Sequence, residues 1–207
     1  MSEQNELPQI YLLTPTAFEP EEFAPKLAAV LDAHEVACVR LALASKDEYT
    51  LGKAADACRE VCHARDVAIV IESHVSLAER HGLDGVHLTD GARSIRKVRK
   101  VLGDDAIVGC FCGASKHDGM TSGEIGADYI AFGPVGDTDL GDGTKAERDL
   151  FEWWSMMIEV PVVAEGALSI DLVKTFTPVT DFFAVGDEIW STNDPVKALG
   201  DLIAAMG

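Results

Sequence analysis

Carboxylates, imidazoles and two isolated cations recur at separated points of the chain: Glu72-Ser73-His74, His87 with Thr89 and Asp90, Glu165-Gly166, and Gly186-Asp187-Glu188, with Arg40 and Lys145 as the cations. Carboxylates brought to one place attract a cation or raise one another's pKa, which suits metal binding, amine binding or acid–base chemistry. A phosphate ester meets repulsion there unless a divalent ion intervenes. The run Gly136–Lys145 carries Asp137, Thr138, Asp139, Asp142 and Thr144 among glycines, the composition of a mobile surface lid. Its aspartates are spaced somewhat like calcium-loop ligands but lack the closing glutamate, so a solvated lid is expected.

Residues so far apart in sequence act together only if the fold gathers them. Short apolar, β-branched runs alternate with longer amphipathic segments along the whole chain. Strands are expected near 9–13, 36–43, 67–71, 84–88, 106–112, 127–132, 160–165 and 181–186, with helices between them. Glu19-Pro20-Glu21-Glu22 announces the first helix, with proline and acids where a helix start favours both. Eight such units with nearly continuous apolar strands predict one domain over 1–207, a (β/α)8 TIM barrel. An open doubly wound sheet is the rival, but no Gly-x-Gly-x-x-Gly run follows the first strand. In a barrel the chemistry collects at the C-terminal strand ends, which is where the residues above fall.

Composition bounds the partners. Seventeen Lys and Arg against 35 Asp and Glu give a formal charge of −18 over 207 residues, which repels nucleic-acid phosphates and anionic lipids. Neither is an expected partner; a small-molecule ligand is. Met1–Glu6 lacks the basic start and apolar core of a secretory signal, so a cytoplasmic protein is expected. Cys58 and Cys62 share a helix face and Cys110 and Cys112 a strand face, so either pair presents two sulfurs as metal ligands would. Without CxxC spacing they read as reduced, buried small hydrophobes, as does Cys38.

Asp84-Gly85-Val86-His87-Leu88, then Gly126-Ala127-Asp128-Tyr129-Ile130-Ala131-Phe132-Gly133-Pro134-Val135, then Val160-Pro161-Val162-Val163-Ala164 occur in an order and spacing that resembles the thiamine phosphate synthase and TenI-like thiazole tautomerase family, from Ile10 to the C-terminus. The resemblance implies a small barrel with its pocket at the C-terminal mouth, a homodimer, and magnesium as cofactor. It also implies transfer of the pyrimidine methyl group from its pyrophosphate to thiazole phosphate.

Mapped position by position, the resemblance also implies roles. Where relatives grip pyrophosphate with Gln-x-Arg-x-Lys, this chain has Arg40-Leu41-Ala42-Leu43-Ala44, so Arg40 and Lys145 are expected to stabilise the departing pyrophosphate. The other reading of Arg40 is a structural ion pair at the barrel end. Relatives hold magnesium by Asn-Asp after the third strand and His-Leu-Gly-Gln-x-Asp after the fourth; Glu72 and Asp90 are the shifted ligands expected here. The tautomerase histidine falls on Gly113, and His117 belongs to a helix starting near Ser115 that faces away. Thr138, Thr144 and Lys145 keep the residue types of the family's Thr-x-Thr-Lys lid. Gly166 and Gly186 match turns whose amides cup phosphate, while Glu165 and Asp187 place carboxylates there; Asp187 reads equally as a helix cap. With His74, His87 and Thr138 these residues form the expected substrate-binding set.

Three functions fit: the family's transferase, a diverged barrel enzyme for a neutral or cationic ligand using Glu72, His74, Glu165 and Asp187, and an inactive paralogue with a binding or regulatory role. Trp153 and Trp154, with Phe151, Met156 and Met157, are expected to pack a helix.

Overall fold

A computed structural model describes residues 7–207, which leaves Met1–Glu6, and the reading of that segment as no secretory signal, outside the described residues. Eight strands form where the apolar runs predict them: β1 (Gln9–Leu13), β2 (Cys38–Leu41), β3 (Ala68–Glu72), β4 (Gly85–Leu88), β5 (Ile107–Phe111), β6 (Tyr129–Phe132), β7 (Val162–Glu165) and β8 (Phe182–Val185). Each pairs in parallel with the next, and β8 closes on β1 with Ile10 opposite Phe183. That closure excludes the open sheet.

Helices cover the outside: α1 (Pro20–Ala33), α2 (Glu48–His63), α3 (Val75–Arg80), α4 (Ile95–Leu102), α5 (Lys116–Ile125), α6 (Arg148–Met157), α7 (Ile170–Phe176), the short α8 (Asp187–Trp190) and α9 (Pro195–Ala204). Among the described residues no helix is long and apolar enough to cross a membrane. Ser115 caps α5, accepting from the Asp118 amide, and so fixes the predicted start of the helix that carries His117.

Strand alternation sorts side chains into two layers. Ile10, Leu12, Val39, Leu41, Ile69, Ile71, Phe132 and Val185 face the helices and form the main core, which also holds Cys58, Cys62, Cys110, Cys112 and the tryptophan Trp154. Residues of the opposite parity fill the barrel interior: Tyr11, Cys38, Val70, Tyr129, Ala131, Val163 and Ala184. All five cysteines are buried and unpaired in disulfides. The interior is not wholly apolar, because Arg40, His87 and Glu165 share it and are each buried. Gly109 makes room for Tyr129: a β-carbon there would lie 1.9 Å from the Tyr129 ring, which turns inward.

The lower rim is braced by a repeated device. Asp84, Asp128 and Asp181 immediately precede β4, β6 and β8, and each carboxylate accepts from a main-chain amide of the preceding strand: Ile69 at 2.8 Å, Val108 at 2.7 Å and Val162 at 2.8 Å. The aspartates of the two most recognisable sequence runs, Asp-Gly-Val-His-Leu and Gly-Ala-Asp-Tyr, therefore brace the end of the barrel opposite the mouth.

Candidate active site

Below the mouth, Arg40 on β2 is 2% exposed. Its Nη2 donates to Glu165 Oε1, and its Nη1 reaches both Glu165 Oε2 at 3.1 Å and His87 Nε2 at 2.8 Å. Arginine can only donate, so His87 Nε2 is the acceptor and the imidazole proton sits on Nδ1. Nδ1 then donates to the Tyr129 hydroxyl at 2.9 Å, which lies 2.5 Å from the Tyr11 hydroxyl. A directed chain of hydrogen bonds thus runs down the barrel axis from Glu165 and Arg40 to Tyr11.

Burial, followed by the charge of Arg40, holds the His87 pKa well below its usual value, so the imidazole is neutral. Burial also opposes the Arg40 charge, but Glu165, Tyr11 and Glu72 together outweigh it and the guanidinium stays protonated. Tyr11 and Tyr129 are pushed above the usual tyrosine range, foremost by burial. Arg40 Nε is the one buried side-chain polar atom without a hydrogen bond among the described residues; Glu72 Oε1 lies 3.4 Å away without the alignment of a bond. Glu72 is one-third exposed, and burial raises its pKa against the lowering influence of Arg40.

Above this layer the mouth holds two clefts that share no lining residue. The larger, of ≈ 710 Å³, lies over β4 and β5 and is lined by Thr89, Asp90, Arg93, Phe111, Ser115 and Asp118, among others. The smaller, of ≈ 360 Å³, lies over β7 and β8 and includes Thr14, Thr138, Glu165, Gly166, Gly186 and Asp187. The Gly136–Lys145 loop walls both: Gly141, Asp142 and Thr144 face the large cleft, Asp137, Thr138 and Leu140 the small one. It rests on Phe111 through Gly141, whose φ of +65° and lack of a β-carbon, which would lie 3.1 Å from the ring, permit the contact.

The sequence-predicted residues distribute unevenly over these places. Thr138, Glu165, Gly166, Gly186 and Asp187 come together in the small cleft, and Asp90 stands in the large one. Arg40 occupies the barrel interior in the ion-pair arrangement, and both ring nitrogens of His87 are taken by protein partners. Lys145 pairs with Asp137 at 2.8 Å on the surface of the loop. Glu72 and His74 line neither cleft. Glu165, counted from sequence as a free negative charge facing phosphate, is matched by Arg40, 125 residues away in the chain.

Two features of the site carried no separate role in the sequence. Glu188 spans two turns, accepting from the Leu168 amide at 3.0 Å and the Gly186 amide at 2.8 Å. It thereby supplies the side-chain contact at the start of α8, and Asp187, whose side chain makes no cap, projects exposed into the small cleft. Arg93, in the turn Gly91–Ser94, lines the large cleft; no motif marked it, since a single arginine after a strand has no signature.

Asp90 lines the large cleft and Glu72 neither cleft, and among the described residues no three His, Cys, Asp or Glu side chains gather as a metal cage. Magnesium, however, is commonly held by one or two carboxylates together with substrate phosphates and water. Asp90 in the large cleft fits that mode, whereas Glu72 is engaged toward Arg40.

A closed parallel barrel with paired clefts at the C-terminal strand ends defines the class: a single-domain TIM barrel with its polar groups gathered where barrel enzymes carry their active sites. The family model for thiamine monophosphate synthase matches residues 10–185, and the chain belongs to that family as a thiamine phosphate synthase-like protein. It is 39% identical over 201 residues to the thiamine-phosphate synthase of Rhodospirillum centenum, covering 96% of this chain and 97% of that one. To that of Erythrobacter litoralis it is 35% identical, covering 98% and 99%. Among solved structures, a thiamine phosphate pyrophosphorylase from Pyrococcus furiosus superposes with a TM-score of 0.83 at 19% identity over 96% of this chain and 95% of that one. An orotidine 5'-phosphate decarboxylase from Pyrococcus horikoshii gives 0.68 at 14%, over 95% and 99%. At those identities the likeness is one of fold.

Proposed function

We propose that the protein transfers the pyrimidine methyl group from its pyrophosphate to the nitrogen of thiazole phosphate, releasing pyrophosphate. The observation that carries this reading is the pair of separate clefts on either side of one loop, which suits a reaction that must hold two substrates side by side. The acceptor sits in the small cleft against Gly166, Gly186 and Thr138, and the pyrophosphate in the large cleft, where Asp90 would hold magnesium. The metal supplies charge neutralisation to the leaving group when bound. Lys145 reaches the leaving group from the loop once its exposed pair with Asp137 opens, a pair worth little in water. Arg40 acts through Glu165 and Glu72 as a positioning residue.

One observation favours a second reading, a barrel adapted to a neutral or cationic ligand: Glu165, Asp187, Glu188 and Asp137 line the small cleft without a cation among its walls. Incubation of the protein with magnesium, hydroxymethylpyrimidine pyrophosphate and thiazole phosphate, followed by oxidation of the product to fluorescent thiochrome, separates the two. Product at the rate of a known synthase supports transfer. Its absence turns the search to ligands without phosphate.

A further inference from the structure

The cations near the mouth are few, and most are committed. Arg40 is buried against Glu165 and His87, Lys145 pairs with Asp137, Lys116 lies 3.4 Å from the centre of the Trp153 ring on the outer surface, and Lys46, exposed in the loop after β2, lines neither cleft. Arg93 differs. It is exposed, lines the large cleft, and makes no ion pair or side-chain hydrogen bond among the described residues. It is also the one arginine or lysine on that cleft's wall. It stands three residues beyond Asp90, and both face the cleft from the ends of one turn of 3-10 helix, while Phe111 supplies an aromatic wall.

We infer that Arg93 binds the pyrophosphate from the wall of the large cleft, where Lys145 reaches it from the loop. The inference rests on the transferase reading above and adds a residue to it. When the carbon–oxygen bond to the pyrophosphate breaks, the oxygen keeps the bonding electron pair and the leaving group gains negative charge. The thiazole nitrogen supplies the pair for the new carbon–nitrogen bond, and no proton has to move. A guanidinium donates two parallel hydrogen bonds to phosphate oxygens in that state, a geometry that lysine cannot reproduce. The carboxylates of Asp90, Asp118 and Asp142 on the same wall repel a bare anion, so pyrophosphate would enter as its magnesium complex, which Asp90 would hold through the metal while Arg93 donates to the phosphate oxygens.

Titration calorimetry with magnesium and inorganic pyrophosphate tests this at fixed ionic strength on the full-length protein, Arg93→Gln and Arg96→Gln. Arg96 is an exposed arginine on α4 off the cleft wall, and its variant carries the same change in net charge. The expected result is binding by the wild type, at least ~10-fold weaker binding by Arg93→Gln, and unchanged binding by Arg96→Gln. Equal affinity of wild type and Arg93→Gln, an equal loss in both variants, or no binding by the wild type would overturn the inference. Arg93-dependent pyrophosphate binding without thiamine phosphate formation would remove the proposed transfer alone, so the two failures are distinguishable.

Discussion

At the scale of single residues, Arg40 and His87 show how one buried charge sets its surroundings. Replacing Arg40 by Met leaves the Glu165 carboxyl in the barrel interior without its partner, and breaking a buried pair in this way costs about 3–5 kcal/mol. Urea denaturation is expected to show that cost, and Arg40→Met combined with Glu165→Leu to recover much of it. His87 makes stability depend on pH. Its imidazole is neutral when folded, whereas the unfolded chain takes up a proton below the ordinary value of 6.5. Stability from this group is therefore complete above pH 6.5 and falls as the pH drops below it, by up to ~1.4 kcal/mol per pH unit. Glu72, raised by burial above 4.5, works in the opposite sense, contributing at low pH and losing that contribution as pH rises through its folded pKa. His87→Asn should flatten the decline of the urea midpoint between pH 7 and 5; an unchanged slope would show that the decline comes from other groups. None of this network was legible in the sequence beyond the residue types. Arg40 was open between ligand and ion pair because the partner that decides it, Glu165, is brought opposite only by the register of the closed sheet.

The elements themselves were far more legible. Every strand begins within two residues of its expected position, because a parallel barrel strand must bury both faces and so writes itself as an apolar run. What the runs do not disclose is how strand ends are tied. Asp128 illustrates the point: its carboxylate holds the Val108 amide and pairs with Arg99, so Asp128→Ala should lower unfolding free energy by about 1–3 kcal/mol while Asp128→Asn, which keeps an acceptor, loses less. Chemical denaturation of the two variants checks it. Loop placement was legible only as composition. Gly141→Ala meets both a positive φ and the Phe111 ring, a cost of about 1 kcal/mol that falls on the seated loop rather than the barrel. The expected outcome is a Michaelis constant raised about fivefold with the thermal midpoint nearly unchanged. Glu188 was visible as one more mouth acid, but its bridge between the β7 and β8 turns depends on backbone amides that leave no mark in side-chain types.

For the molecule as a whole, burial governs the thiols. All five cysteines lie in the interior, and burial raises Cys38, Cys58 and Cys110 to about 12 and Cys112 to about 11, so none is a ready thiolate near neutrality. A colorimetric thiol reagent should react with fewer than one sulfur promptly in the native protein and with five after denaturation; fast native labelling would contradict the packing described. The loop between the clefts has a consequence for how substrates meet. One segment walls both clefts, so under the proposed transfer whichever substrate arrives first would restrain it and bear the entropic cost of doing so. The second ligand then docks against a wall already in place. Each substrate should therefore tighten the binding of the other by the same factor, a mutual assistance that free-energy linkage requires to be symmetrical.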